Sequence, residues 1–108
     1  MPMRTIKYDD VNVLDEKIEL LSKVIQKIVR EATLIDDVFV YAESPKIKID
    51  VAPIGVFIEI SKSKVLNKEE FFENIKQRIS LWKKENGFLY PINLTLTPVD
   101  WVFETGII

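Results

Sequence analysis

Two long amphipathic stretches, each set between two strand-like runs, constrain this chain more than any other feature of its sequence. In the first half, residues 3–8 read as a short strand and residues 9–12 as a turn. Leu14, Ile18, Leu21, Ile25, Ile28 and Ala32 then recur at three- and four-residue steps, so one apolar stripe predicts a helix over residues 13–32, with Asn12 as its cap. Residues 38–41 follow as a strand that is apolar on both faces, as a central strand is. In the second half, residues 56–60 form a core strand. Asn67, with Glu70 three positions on and Leu66 and Phe71 placed as a hydrophobic staple, starts a second helix. Phe71, Ile75, Ile79 and Trp82 make its apolar stripe, and Asn86-Gly87 ends it. Residues 92–97 alternate as a last strand. Each helix is long enough to carry the chain between two parallel strands by a right-handed crossover.

The remaining segments are punctuation. Ser44-Pro45 breaks the second strand, and residues 46–51 alternate strictly, which predicts a half-exposed strand or hairpin arm whose Lys46 and Lys48 protect a sheet edge. Pro53-Ile54-Gly55 reads as a turn, Pro98 as the stop of the last strand, and residues 99–103 as a short terminal strand. The order β-α-β-β-α-β fits two α+β architectures. In the ferredoxin-like sandwich the two crossovers interleave; in the other, two β-α-β units stand side by side, each parallel within itself. Either way, a four-stranded sheet carries two helices on one face and leaves the other face bare. Large apolar residues point both ways from residues 38–41 and 56–60, so the bare face is expected to be broadly apolar and buried by oligomerisation, unless the tail or residues 46–51 cover it.

At 108 residues the expectation is one domain, residues 1–108. Basic and acidic residues are interspersed at a net charge of −2, so there is no basic block for nucleic acid and no polybasic run for a membrane surface. No apolar run approaches a membrane span, and no apolar leader marks the N-terminus, so a cytoplasmic location is expected. The chain has no Cys and no His. Only carboxylates remain as metal ligands, and none cluster at a ligand spacing, so neither metal nor cofactor is expected.

The lack of His and Cys also removes the usual neutral-pH base and the usual strong nucleophile. The first dipeptide, Met1-Pro2, offers a substitute. A small residue after the initiator Met permits its removal, and Pro2 would then carry a free secondary amine, a class of base with a reference pKa of about 7.7–8.0. Pro2 is therefore the candidate general base. Glu59 is an alternative, though it reads more simply as an outward or paired strand carboxylate.

The chain resembles the tautomerase superfamily, the family of macrophage migration inhibitory factor, and within it a small group of tautomerase-like proteins of this length. The resemblance spans nearly the whole chain: Met1-Pro2 before the first strand, two β-α-β units, Pro53-Ile54-Gly55-Val56-Phe57-Ile58-Glu59-Ile60 at the third strand, Ile92-Asn93-Leu94-Thr95-Leu96 at the last, and Phe103-Glu104-Thr105-Gly106 at the close. It implies a homotrimer of sheets around a central core. It also implies a site at subunit edges, where the N-terminal proline moves protons between carbon and oxygen of small enol–keto acids. Apolar walls for that amine come from Phe39, Tyr41, Phe57, Trp101 and Phe103, and Asn93 falls where one branch has a pocket Asn. The chain departs from the pattern in its cations. Val38 stands where catalytic relatives place an Arg, and Leu34 or Ile35 where the inhibitory-factor branch has a Lys. Of the cations near sheet ends, Arg4, Lys48, Lys62 and Lys64, the two that directly follow the third strand, Lys62 and Lys64, are the candidates for the substrate carboxylate and the enolate. Without those cations two other readings stand beside the enzyme: a non-catalytic trimeric binding or scaffold protein, and a ferredoxin-like binding module.

Overall fold

Six elements follow one another in a computed structural model that describes residues 3–34, 38–49, 51–62 and 67–99: β1 (Met3–Tyr8), α1 (Asp15–Thr33), β2 (Phe39–Glu43), β3 (Ile54–Ser61), α2 (Lys68–Asn86) and β4 (Asn93–Val99). The expected terminal strand beyond Val99, and the staple residue Leu66, lie outside the described residues. The sheet order is β2-β1-β3-β4. β1 runs parallel to β2, from Met3 opposite Phe39 to Lys7 opposite Glu43. β3 runs parallel to β4, from Gly55 opposite Asn93 to Ser61 opposite Val99. The two halves join through β1 and β3, which are antiparallel, with Met3 opposite Glu59 and Lys7 opposite Gly55. Each helix thus returns the chain to the strand beside the one it left. The ferredoxin-like alternative is ruled out, because its crossovers would interleave.

Both helices lie on one face of the sheet. Ile6, Val13, Ile54, Val56 and Ile58 form one buried cluster with Ile18, Leu21, Ile25, Ile28 and Val29 of α1 and Ile75 and Ile79 of α2. The strand members alternate with residues of the opposite face, as the two-residue period of a strand requires. On α1 the buried positions match the apolar stripe, except that Leu14 is exposed, Ala32 is half-buried, and Val29 and Thr33 are buried. On α2, Ile75 and Ile79 are buried, while Phe71 and Trp82 are half-buried at the rim of the core.

Several local expectations are corrected. β2 is an edge strand rather than a central one: among the described residues it pairs only with β1. Its apolar side chains Phe39 and Tyr41 lie on the helix-free face and stay 47% and 61% exposed. α1 starts at Asp15 behind Leu14, with no side-chain cap bond, because the Asn12 amide donates instead to Asp9 Oδ2 at 2.6 Å. Residues 46–49, 51 and 52 form no strand. Lys48 is drawn to the β1–α1 turn and leaves Ile47 and Ile49 83% and 84% exposed. Ile54 and Gly55 belong to β3, not to a turn. Pro98 lies within β4; among the described residues that strand has a partner on one side only, where a proline's missing N–H is tolerated.

The helix-free face is less uniformly apolar than expected. Phe39, Tyr41 and the 40%-exposed Phe57 occupy its β2–β3 half, whereas Asn93, Thr95 and Thr97 occupy β4 and are exposed. α2 is capped as its sequence directs. The Asn67 side chain accepts a hydrogen bond from the Glu70 backbone N–H at 3.1 Å, and Gly87 closes the helix at φ 63°.

Candidate functional site

The sheet end at which β1 begins is where the sequence places its chemistry. Phe39, Met3 and Glu59 form one row across β2, β1 and β3, and Ser61 and Lys62 follow just beyond Glu59 on β3. Phe39 and Lys62 are therefore at the end that Pro2 immediately precedes, and Lys62 is exposed there. Phe57 sits two residues further in on β3, opposite Thr5. Pro2, Lys64, Trp101 and Phe103 lie outside the described residues. Asn93 does not join this group within one chain. It opens β4 opposite Gly55, four residues along β3 from Glu59, a separation of about 13 Å at strand rise.

Asn93 instead lines a cavity of about 380 Å³ at the far end of the helix-free face, with Lys7, Tyr8, Lys48, Gly55 and Phe57. Gly55 makes this surface possible, since a Cβ at that position would meet Phe57 Cε2 at 3.1 Å. Lys7 Nζ lies 6.0 Å from the centroid of the Phe57 ring, at the limit of a cation–π contact. Two other ionisable groups of the cavity are bonded. The Tyr8 hydroxyl donates to Asp15 Oδ1 at 2.7 Å, and that bond together with burial pushes its pKa up to about 12. Lys48 Nζ donates to Asp10 Oδ1 and Ser44 Oγ, both at 2.8 Å, with Asp9 at 3.6 Å. These are bonds that fasten residues 44–48 to the β1–α1 turn rather than groups presented to a ligand.

Arg4 is the functional candidate that sequence reasoning passed over in favour of the lysines. It stands opposite Val40 on β2 and Ile58 on β3, on the core-facing side of β1 with Ile6. Its side chain is 0% exposed, and Nε, Nη1 and Nη2 have no hydrogen-bond partner among the described residues. Desolvation lowers its pKa to about 10, so it remains charged at neutral pH. The signal in the sequence is one of parity. Arg4 alternates with Ile6 at positions whose partners are apolar, where an arginine has no routine reason to be. Glu59, half-buried, faces the opposite side of the sheet from Arg4. Among the described residues no three carboxylates are grouped to hold a metal ion, and no helix is long and apolar enough to cross a membrane.

No protein-family model matches the chain, and no curated protein matches its sequence. Solved structures do match its fold. A structure of Pt0534 inactivated by 2-oxo-3-pentynoate superposes with a TM-score of 0.67 at 13% identity, over 91% of this chain and 86% of the other. The macrophage migration inhibitory factor-like protein EhMIF of Entamoeba histolytica gives 0.63 at 15% identity, over 95% of each chain. A fused 4-OT symmetric trimer gives 0.59 at 10% identity, over 91% of this chain and 85% of that one. The fold is that of tautomerase-superfamily structures.

Proposed function

We propose that this chain is a tautomerase-type isomerase of enol–keto carboxylic acids, working as a homotrimer with the Pro2 amine as general base. The observation that carries the reading is the tautomerase-type fold in a chain with proline at position 2, which makes a secondary amine available directly before β1 once Met1 is removed. In the enol-to-keto direction the amine accepts the enol O–H proton and leaves an enolate. As the enolate oxygen forms the carbonyl, the electron pair of the C=C bond takes the proton back from the ammonium at carbon. The base must be neutral to begin this cycle, and apolar walls and nearby cations both push an amine that way. Phe39 and Phe57, with Trp101 and Phe103, are the proposed walls, and Lys62 and Lys64 the proposed partners of the substrate carboxylate. Asn93, at the far end of its own sheet, reaches the site only from a neighbouring copy. The inactivation of Pt0534 by a 2-oxo acid supports the substrate class.

The test is turnover of enol phenylpyruvate. A sample processed to Pro2 is expected to be active, and samples that retain Met1 or carry an acetylated Pro2 to be inactive. Equal rates from free and blocked forms would show that Pro2 is not the base. A second reading, a trimeric binding or scaffold protein without catalysis, draws on two positions. Val38 is buried in the core, and Leu34 is a helix C-cap, where the resembled enzymes carry cations. Complete inactivity of a Pro2-terminated trimer would favour it.

A further inference from the structure

We propose that Arg4 is a carboxylate-binding residue, and that an anionic ligand entering at the N-terminal end of β1 supplies the hydrogen bonds its buried guanidinium lacks. The ligand class, a small apolar carboxylic acid, rests on the functional reading above. The binding role of Arg4 rests on its own surroundings.

A guanidinium carries five N–H donors in a planar fork, and burying it unpaired is among the costliest arrangements a fold can hold. Other cations that this fold draws inward are paired. Arg78 meets Glu31 at 3.2 Å and the Ile28 carbonyl at 3.4 Å, and Lys48 meets Asp10, Ser44 and Asp9. Arg4 has no such partner among the described residues. Its sheet neighbours Val40 and Ile58 are apolar. Glu59 points to the other face of the sheet, and Glu31 is already engaged by Arg78. Loss of the proton is no escape, since the lowered pKa of Arg4 is still about 10. A carboxylate relieves the arrangement directly, because its two oxygens match the guanidinium fork.

The position suits the chemistry. Arg4 is two residues from Pro2, and two residues of chain span at most about 7 Å. One small acid can therefore place its carboxylate on Arg4 and its reacting carbon near the amine. The charge of Arg4 at that distance also favours the neutral form of the amine. Arg4 thereby takes the carboxylate, the task of the cation that Val38 withholds, and leaves Lys62 and Lys64 to the developing enolate oxygen.

The test compares trans-cinnamate with its neutral analogue cinnamamide, using calorimetry and thermal unfolding at pH 7. Wild type is expected to bind cinnamate at least about tenfold more tightly than the amide, the scale of one charge-assisted fork. Arg4→Met is expected to bring cinnamate down to the level of the amide. It should also raise the melting temperature of the ligand-free protein, since an apolar side chain replaces an unpaired buried charge. Arg4→Lys, which keeps the charge without the fork, is expected to fall between the two, and it carries the comparison if Arg4→Met does not fold. Samples retaining Met1 should bind cinnamate like wild type. Anion binding that survives when turnover is blocked is thus separable from the role of Pro2. Full turnover in Arg4→Met would leave the role of Pro2 intact and sink this one. The proposal also fails if cinnamate does not bind, or binds Arg4→Met unchanged. It fails too if Arg4→Met and the pair Asp36→Asn, Asp37→Asn, at the two acidic residues that precede Val38 in the sequence, each lower the melting temperature and their combination lowers it no further. That result would place the counter-ion within the chain.

Discussion

Lys48 and Arg4 show two ways for a cation to be withdrawn from water. Lys48 is answered by two carboxylates and a hydroxyl, and its own pKa is raised, foremost by its hydrogen bond to Asp10. Asp10 is held below the usual carboxylate range, first by the bond from Lys48 and then by Ser44. Asp9 is held down first by the Asn12 amide, then by the Val11 N–H, with Lys48 adding to it. The signs follow from linkage. Asp9 and Asp10 contribute stability above the unfolded carboxylate pKa of about 3.9, and lose it as pH falls through their lower folded values. Lys48 contributes below the unfolded value of about 10.4, and loses it as pH rises through its higher folded value. Tyr8, raised to about 12, adds a further decline above its unfolded value of about 10. Urea unfolding across pH should therefore show a plateau at neutral pH with a limb on each side. Lys48→Met should flatten the acid limb and the Lys48 share of the alkaline one. An acid limb as steep in the variant as in wild type would mean that Lys48 contributes nothing to it. None of it was legible from residue types alone: Lys48 reads as half of an edge-protecting pair until the β1–α1 turn is seen beside it.

At the scale of elements, the helix ends make the sharpest contrast. α2 has both its signals, Asn67 and Gly87, and its boundaries are close to those its sequence predicts. Asn67→Ala should cost about 1 kcal/mol in denaturant unfolding through loss of the bond to the Glu70 N–H. α1 ends instead on Leu34 at φ 58°, a left-handed conformation with an exposed side chain. The strain of a non-glycine residue there is roughly 1–2 kcal/mol, and glycine's greater loss of chain entropy offsets part of the relief. Leu34→Gly should therefore stabilise the protein by roughly 0.5–1 kcal/mol. A loss of stability would show that the Leu34 side chain is engaged elsewhere. Residues 46–51 teach the complementary lesson. Alternation is necessary for a half-exposed strand but not sufficient, because a strand also needs a partner, and none is present for this segment among the described residues.

The whole molecule leaves its aromatic surface unspent. Phe39, Tyr41 and Phe57 on the helix-free face, and Ile47 and Ile49 in the segment between β2 and β3, are exposed in a single chain, and β2 has an open edge among the described residues. Soluble monomers rarely present that combination, and a closed ring of copies removes both the patch and the edge. The expected sedimentation mass at micromolar concentration is that of three chains. Ile47→Asp with Ile49→Asp should reduce it to one chain while the circular dichroism stays folded. A wild-type mass equal to one chain, with a folded spectrum, would overturn the assembly.

What the sequence determined by itself is whatever depends on near neighbours in the chain. The two helices, their buried stripes, the cap of α2 and the β-α-β order all follow from periodicity and capping, which act within about four residues. What only the tertiary structure decided depends on residues distant in sequence. It made β2 an edge, admitted Pro98 to a strand, sent Asn93 to the opposite end of the sheet from the start of β1, and left Arg4 buried without a partner. Arg4 is the clearest case. Its alternation with Ile6 was visible in the string, but the apolar neighbours Val40 and Ile58 are 36 and 54 positions away, and only their pairing shows that the charge is unanswered.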